Sequence, residues 1–147
     1  DRIIADFPLK WTVASMAPLF DHGINLVITS QRAIPGYLLD PKIKNRSRLF
    51  YQMANIEVSN VQGENNWALL LDPDGFITEG TGNNFFMVRN GEILTPEGRN
   101  ILRGISRNYI FVISYFNNLC MVIWIKFIDE LRDFSIRRTH SITICVS

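Results

Sequence analysis

The fold of this chain is limited above all by one glutamate in a glycine-rich turn inside a strand-forming region. The apolar run 67–71 and the turn-forming run 72–75 lead to strand-type residues 76–78, and Glu79 follows directly. Gly80 and Gly82 come next, before Asn84 and a second strand-type run. This pattern predicts antiparallel strands around a buried carboxylate, with glycines that let the backbone approach a flat ligand. An ordinary turn carboxylate is the plainer interpretation of Glu79 alone.

Two further features give that carboxylate a chemical context. Lys44 stands alone upstream, and residues 102–107 form a turn that can end in backbone donors for a phosphate. An enzyme that uses pyridoxal phosphate needs an amine to hold the cofactor as an imine and a carboxylate to keep its ring nitrogen protonated. Lys44, Glu79 and the 104–106 turn supply one of each. For any lysine taken alone, a solvated surface position is the simpler interpretation.

Four segments together resemble one family: residues 40–45, 68–86, 90–96 and 101–107. They are similar to the class IV (fold-type IV) pyridoxal-phosphate aminotransferases. That group includes branched-chain and D-amino-acid aminotransferases, (R)-selective amine transaminases and aminodeoxychorismate lyase. The resemblance covers roughly residues 24–107 and is specific to the group rather than to one member.

The resemblance implies a role for each matching residue. Lys44 would form the Schiff base and move the proton, and Glu79 would contact the pyridine nitrogen. Leu102 would pack on one ring face, and Ile105 and Ser106 would hold the phosphate. Asn84 is interpreted as structural support. The predicted cofactor-binding set is Lys44, Arg48, Glu79, Leu102, Ile105 and Ser106. No metal site is predicted, because the two cysteines and two histidines of the chain lack a metal-ligand spacing.

The chain also departs from the family pattern. Branched-chain enzymes place a tyrosine five residues after the lysine, where this chain has Leu49. Arg48 precedes it, and we interpret Arg48 equally as a cofactor neighbour or as a structural arginine. The family's N-terminal domain and later threonine loop have no counterpart. Three hypotheses remain open: transamination between an amino acid (branched-chain or similar) or amine and a 2-oxo acid, a lyase of the aminodeoxychorismate type, and an inactive truncated fragment.

The resemblance implies an α+β fold: an incomplete cofactor-binding domain with a barrel-like, antiparallel or mixed sheet and packed helices. Residues 1–107 are expected to form this partial domain, and residues 108–147 an atypical segment without family resemblance. Residues 1–40 look extended or looped, with a strand over 23–29. A helix is predicted over 40–59, with Asp40 as N-cap and Pro41 in its first turn. Asn90-Gly91 predicts a two-residue hairpin.

Composition limits the remaining options. The net charge of +1 over 147 residues gives no drive toward nucleic acid. Asn117, Asn118 and Lys126 interrupt the apolar stretch 109–128, which disfavours membrane insertion. A start without methionine and the lack of a signal pattern predict a piece of a longer protein, with the cytoplasm as the default compartment. The family resemblance implies a homodimer that takes small-molecule amino donors and 2-oxo acid acceptors.

Overall fold

The computed structural model describes residues 9–45, 47–89, 91–117, 120–124 and 142–146. This part of the chain contains three helices and seven strands. In chain order they are α1 (Leu9–His22), β1 (Asn25–Arg32), α2 (Leu49–Ser59), β2 (Asn66–Leu71), β3 (Ile77–Gly80), β4 (Asn83–Arg89), β5 (Glu92–Pro96), α3 (Ile105–Phe116), β6 (Cys120–Trp124) and β7 (Ile142–Val146).

The described strands form two open mixed sheets. In the first, the order is β1-β2-β3, with β1 parallel to β2 and β2 antiparallel to β3. In the second, the order is β6-β5-β4-β7, with β5 and β6 parallel and the other pairs antiparallel. The expected α+β class with mixed sheets is confirmed, although the described strands do not close into a barrel.

Strand β2 is buried on both faces and joins two hydrophobic clusters. Leu69 and Leu71 pack in a cluster with residues from β3, β4 and β5. The alternate residues Ala68 and Leu70 pack against the buried face of α2. This period of two follows from the pleat of a strand, and the continuous apolar run is what a strand with no solvent face requires. Through β2, the core fixes α2 beside β3, where Glu79 lies.

The predicted helix over 40–59 is correct only in its second half, because α2 begins at Leu49. Asp40 does accept a hydrogen bond from the Lys42 amide at 3.0 Å, but this contact closes a turn and not a helix. Asn45 repeats the pattern by accepting from the Ser47 amide. Such side-chain turns compete with helix formation, so residues 41–45 remain a loop. Lys44 therefore lies in this loop and not in the first turn of a helix.

The expectation of extended structure over residues 1–40 is wrong for α1. Pro18 lies inside this helix, where a proline removes one backbone hydrogen bond, and the sequence pattern therefore favours a loop. Gly23, which the sequence pattern places in the following strand, instead ends the helix. Its φ is +72° and its amide donates to the carbonyl of Leu19 at 2.8 Å, as in a left-handed helix cap.

The predicted hairpin is present between β4 and β5. Arg89 pairs with Glu92, which leaves two residues for the turn. Gly91 has a φ of +81°, a value that glycine adopts without strain. Asn90 itself lies outside the described residues. So does half of the segment expected to be atypical, at 118–119, 125–141 and 147. Among the residues described, no helix has the length and hydropathy to cross a membrane.

A buried aspartate holds the turn between β2 and β3. Asp72 accepts hydrogen bonds from the amides of Asp74 and Phe76 and from the side chain of Asn100, at 3.0, 2.8 and 2.9 Å. We expect Asp72→Ala to lower the free energy of unfolding by about 2–4 kcal/mol, because three part-buried donors lose the buried carboxylate that accepts from them. Urea unfolding measures this loss. Asp74→Ala, in the same turn but exposed, is the control and is expected to change stability by under about 0.5 kcal/mol. Equal effects of the two variants would contradict this role of Asp72.

Candidate active site

A pocket lies where the chain leaves β1 and enters α2. The loop 33–48 forms most of its wall and includes Lys44 and Arg48. Tyr51 from the first turn of α2, Glu79 from β3 and Leu102 from the loop before α3 complete it. Residues far apart in the sequence therefore meet at the end of a strand of the β1–β2 parallel pair. Ligands commonly bind at such ends in α/β structures.

Glu79 is the buried acid of this pocket. It lies on strand β3, one residue before the glycine-rich turn in which the sequence pattern placed it, and it is 8% exposed. Its Oε1 accepts from the Tyr51 hydroxyl at 2.9 Å and from the Leu102 amide at 3.0 Å. Its Oε2 accepts from Asn84 Nδ2 at 3.2 Å. The neighbouring Gly80 has to be glycine, because a Cβ there would overlap the side chain of Asn83.

Burial gives this carboxyl group unusual acid–base behaviour. It raises the pKa of Glu79 from 4.5 to about 7, although the hydrogen bonds from Leu102, Tyr51 and Asn84 and the charge of Arg48 oppose the rise. No described basic side chain forms an ion pair with Glu79. Among the described residues the site therefore holds a desolvated carboxylate that forms no ion pair, and a positively charged ligand atom would stabilise it.

Lys44 and Arg48 reach the pocket from the loop. The Lys44 side chain is exposed, so its amine is open to a ligand that enters the pocket. Arg48 is half-buried, and its Nε donates to the Asn45 carbonyl at 3.2 Å. Its guanidinium lies 5.5 Å from the centre of the Tyr51 ring, within cation–π range. Arg48 thus lines the pocket and contacts Tyr51, and its place beside a cofactor stays a prediction.

The proposed phosphate turn lies at the start of α3. Ile105 is the first residue of this helix and Ser106 the second, and their amides fall in the turn that has no intrahelical acceptor. Arg107 anchors the turn, since its guanidinium donates to the Pro96 carbonyl at 2.9 Å. Leu102 lies in the pocket wall, whereas Ile105 and Ser106 are outside the lining. The structure therefore brings Lys44, Arg48, Glu79 and Leu102 into one pocket lining and leaves Ile105 and Ser106 outside it.

Sequence reasoning missed Tyr51 and the role of the Leu102 amide. The sequence pattern pointed to Leu49 as the place of the family's tyrosine, but Leu49 is 71% exposed and does not line the pocket. Tyr51, two positions after Leu49, is the tyrosine that lines the pocket. Its spacing to the buried Ala54 and Val58 is three and seven residues, which places all three on one helix face. That spacing is the signal that would have identified it.

Comparison with known proteins assigns this chain to a family. The family model of amino-transferase class IV matches residues 3–118, most of the chain. The chain therefore belongs to the class IV aminotransferases. A putative branched-chain-amino-acid aminotransferase of Methanocaldococcus jannaschii is 38% identical over 101 residues, which cover 67% of this chain and 34% of the relative.

Solved structures agree with this assignment. The branched-chain aminotransferase of the thermophilic archaeon Thermoproteus uzoniensis, solved with norvaline, superposes with a TM-score of 0.69 at 26% identity, covering 76% of this chain and 37% of that one. The holo, PLP form of the Thermobaculum terrenum branched-chain enzyme gives 0.67 at 27% identity, covering 73% and 35%. The expected fold-type IV architecture is confirmed. The chain spans about a third of the length of these relatives.

Proposed function

We propose that this chain carries the cofactor-binding half of a pyridoxal-phosphate-dependent aminotransferase site. The observation that supports it is the pocket that Lys44 and Glu79 share, with an exposed amine and a buried carboxylate in one wall. Its relatives named as branched-chain aminotransferases, one solved in its PLP form and one with norvaline, favour the same reaction. The substrates proposed are an amino acid, branched-chain or similar, or an amine, and a 2-oxo acid.

The residues present fit the cofactor. Glu79 is a buried carboxylate that lacks a cationic partner among the described residues, and a protonated pyridine nitrogen is a cation of suitable size. When bound, pyridoxal phosphate supplies an electrophilic carbon for amines and a protonated ring that accepts electrons. Leu102, which lines the pocket, would cover one face of a flat ring there. The amides of Ile105 and Ser106 and the Ser106 hydroxyl would bind the phosphate at the helix start.

Each side chain then has a distinct task. Lys44 Nζ is the nucleophile that would hold the cofactor covalently and afterwards take and return the substrate's proton. Glu79 would hold a proton on the ring nitrogen, and the apolar side chains of the pocket would limit water around it. Arg48 adds positive charge at the pocket wall. A homodimer and a cytoplasmic location are part of this proposal, on the family resemblance alone.

Covalent mapping tests the proposal. The purified chain is mixed with pyridoxal phosphate, reduced with borohydride and digested, and the modified lysine is identified by mass spectrometry. We expect the label on Lys44, because it is the lysine of the pocket lining. Lys42, exposed in the same loop, is the internal control. Labels scattered over surface lysines, or no label, would mean that the 147 residues retain the family fold without the cofactor site.

Product analysis separates the two enzyme hypotheses. Formation of glutamate from 2-oxoglutarate with an amino-acid donor supports transamination. Release of pyruvate from aminodeoxychorismate supports the lyase. If Lys44 is labelled but neither product forms, the cofactor site is intact and the chain is the inactive fragment of the third hypothesis.

A further inference from the structure

The two carboxylate oxygens of Glu79 accept different numbers of hydrogen bonds. Oε1 accepts two hydrogen bonds, from the Tyr51 hydroxyl at 2.9 Å and the Leu102 amide at 3.0 Å. Oε2 accepts one from the described residues, a longer contact of 3.2 Å from Asn84, whose amide group also donates to the Leu102 carbonyl at 3.1 Å. A carboxylate oxygen has two accepting positions, so Oε1 is saturated and Oε2 keeps one open.

Tyr51 is held firmly in the position from which it donates. Its ring contacts Phe50, with ring centres 4.2 Å apart, and carries the Arg48 guanidinium on it at 5.5 Å. The helix that bears it is anchored to the core through Ala54 and Val58, which are 0% and 5% exposed. The hydroxyl is therefore positioned by α2, while the carboxylate it contacts belongs to β3.

We propose that Tyr51 is a positioning residue: its hydroxyl fixes Oε1 of Glu79, so that Oε2 is the oxygen offered to a protonated ring nitrogen in the pocket. The cofactor part of this inference rests on the proposed function. The contact between Tyr51 and Glu79 does not, because both groups belong to the chain itself. The proposed tyrosine of this site is therefore Tyr51, whereas the family pattern places a tyrosine at the position of Leu49.

The surroundings of Glu79 define which groups act on it. Arg48 faces Glu79 from the loop 33–48, Tyr51 from α2 and Asn84 from β4. The Leu102 amide faces it from the loop before α3, and the charge of Arg107 acts on it from α3. Burial and the charge of Glu79 raise the pKa of Tyr51, so its hydroxyl keeps the proton that it donates. Of the two donors to Oε1, Tyr51 is the one whose hydroxyl a side-chain substitution removes. The other donor is the backbone amide of Leu102.

The first test uses the cofactor-free chain. Tyr51→Phe removes the hydroxyl and keeps the ring on which Arg48 lies. The side-chain carboxyl signals of ¹³C-labelled glutamate are followed over pH, and Glu79→Gln identifies the signal of Glu79. We expect the pKa of Glu79 to rise by roughly 1 from about 7, since a donor to the charged form is lost. Tyr109→Phe, which changes an exposed tyrosine of α3, is the control and should leave this pKa unchanged. An unchanged value in Tyr51→Phe would overturn the proposal.

The second test adds pyridoxal phosphate labelled with ¹⁵N in the ring. The nitrogen chemical shift reports the fraction of protonated ring nitrogen, and we expect Tyr51→Phe to lower that fraction at pH 8 relative to the unsubstituted chain and to Tyr109→Phe. Equal fractions would overturn the proposed role of Tyr51 toward the ring. If the unsubstituted chain binds no cofactor, the proposed function fails, and the titration of the cofactor-free chain still decides whether Tyr51 fixes Glu79.

Discussion

Lys44→Ala is expected to remove covalent cofactor attachment and to lower transamination by at least roughly 10²–10⁴-fold, the range for loss of a positioned acid–base group. Lys44 is the lysine in the lining of the pocket that contains Glu79. Its side chain is exposed, in a loop without helical hydrogen bonds. The substitution should therefore change the free energy of unfolding by less than about 0.5 kcal/mol. Large functional loss with unchanged stability is the signature of a reacting group.

The measurement combines three readouts on the same protein. Visible absorbance with pyridoxal phosphate and mass mapping after borohydride reduction follow attachment, and glutamate formation from 2-oxoglutarate follows the reaction. If the 147 residues alone show no transamination, attachment is the deciding readout. Urea unfolding shows that the variant is folded.

Lys42→Ala is the matched control for this prediction. Lys42 lies two residues earlier in the same loop, is exposed, and forms an ion pair with Asp40 at 3.2 Å. An exposed ion pair contributes little to stability, so the variant should keep both attachment and activity. If Lys44→Ala keeps the label, or Lys42→Ala loses it, Lys44 is not the attachment site.

Strands β1 to β5 could be predicted from the sequence because their signals are local, whereas β6 and β7 lie in the segment expected to be atypical and were not predicted. Residues 67–71 form an apolar run long enough for a buried strand, and they are within β2. The hairpin follows from one dipeptide, in which Gly91 adopts a left-handed conformation. Such patterns act over a few residues and do not depend on the rest of the chain.

The boundaries of the helices were harder to predict, because competing local contacts decide them. Asp40 and Pro41 are typical of a helix start, but the side chain of Asp40 closes a turn with Lys42. Gly23 is compatible both with the end of a helix and with the start of a strand. At both places the residue types fit either structure, and the local hydrogen bonds of Asp40 with Lys42 and of Gly23 with Leu19 mark the one that forms.

The candidate site could be predicted as a set of residue types but not as a network. Lys44 and Glu79 were found through their resemblance to a family motif. The hydrogen bond between Tyr51 and Glu79 joins residues 28 positions apart, and that from the Leu102 amide spans 23. No local pattern encodes such contacts, since they exist only when α2, β3 and the loop before α3 pack together.

Glu79→Gln is expected to make the cofactor-free chain more stable at pH 8 while damaging the proposed reaction. Burial raises the pKa of Glu79 from 4.5 to about 7, so the folded chain binds more protons than the unfolded chain between these values. The free energy of unfolding therefore falls as pH rises through this window, by up to about 3 kcal/mol. A neutral glutamine has no such cost, although its amide group opposes the donor Asn84 and forfeits about 1 kcal/mol.

Urea unfolding at pH 5 and pH 8 measures this difference, and Glu57→Gln provides a control of opposite sign. The half-buried Glu57 accepts from the Ser30 amide at 2.7 Å, and this bond lowers the pKa of Glu57. The stabilisation that the charged Glu57 gives is therefore present at neutral pH and lost on acidification. Glu57→Gln should lower the free energy of unfolding at pH 8. Equal stability of the unsubstituted chain and Glu79→Gln at both pH values would contradict the burial of a charged Glu79.

The same substitution should lower transamination by roughly 10²–10³-fold, the usual loss when a preorganised electrostatic partner is removed. Glutamine fills the space of Glu79 and can accept from Tyr51 and the Leu102 amide, but it cannot hold a proton on a ring nitrogen by charge. A chain that gains stability and loses activity from one change keeps a costly carboxylate for its chemistry. That combination separates a functional acid from a structural one, because loss of a structural acid would lower stability as well.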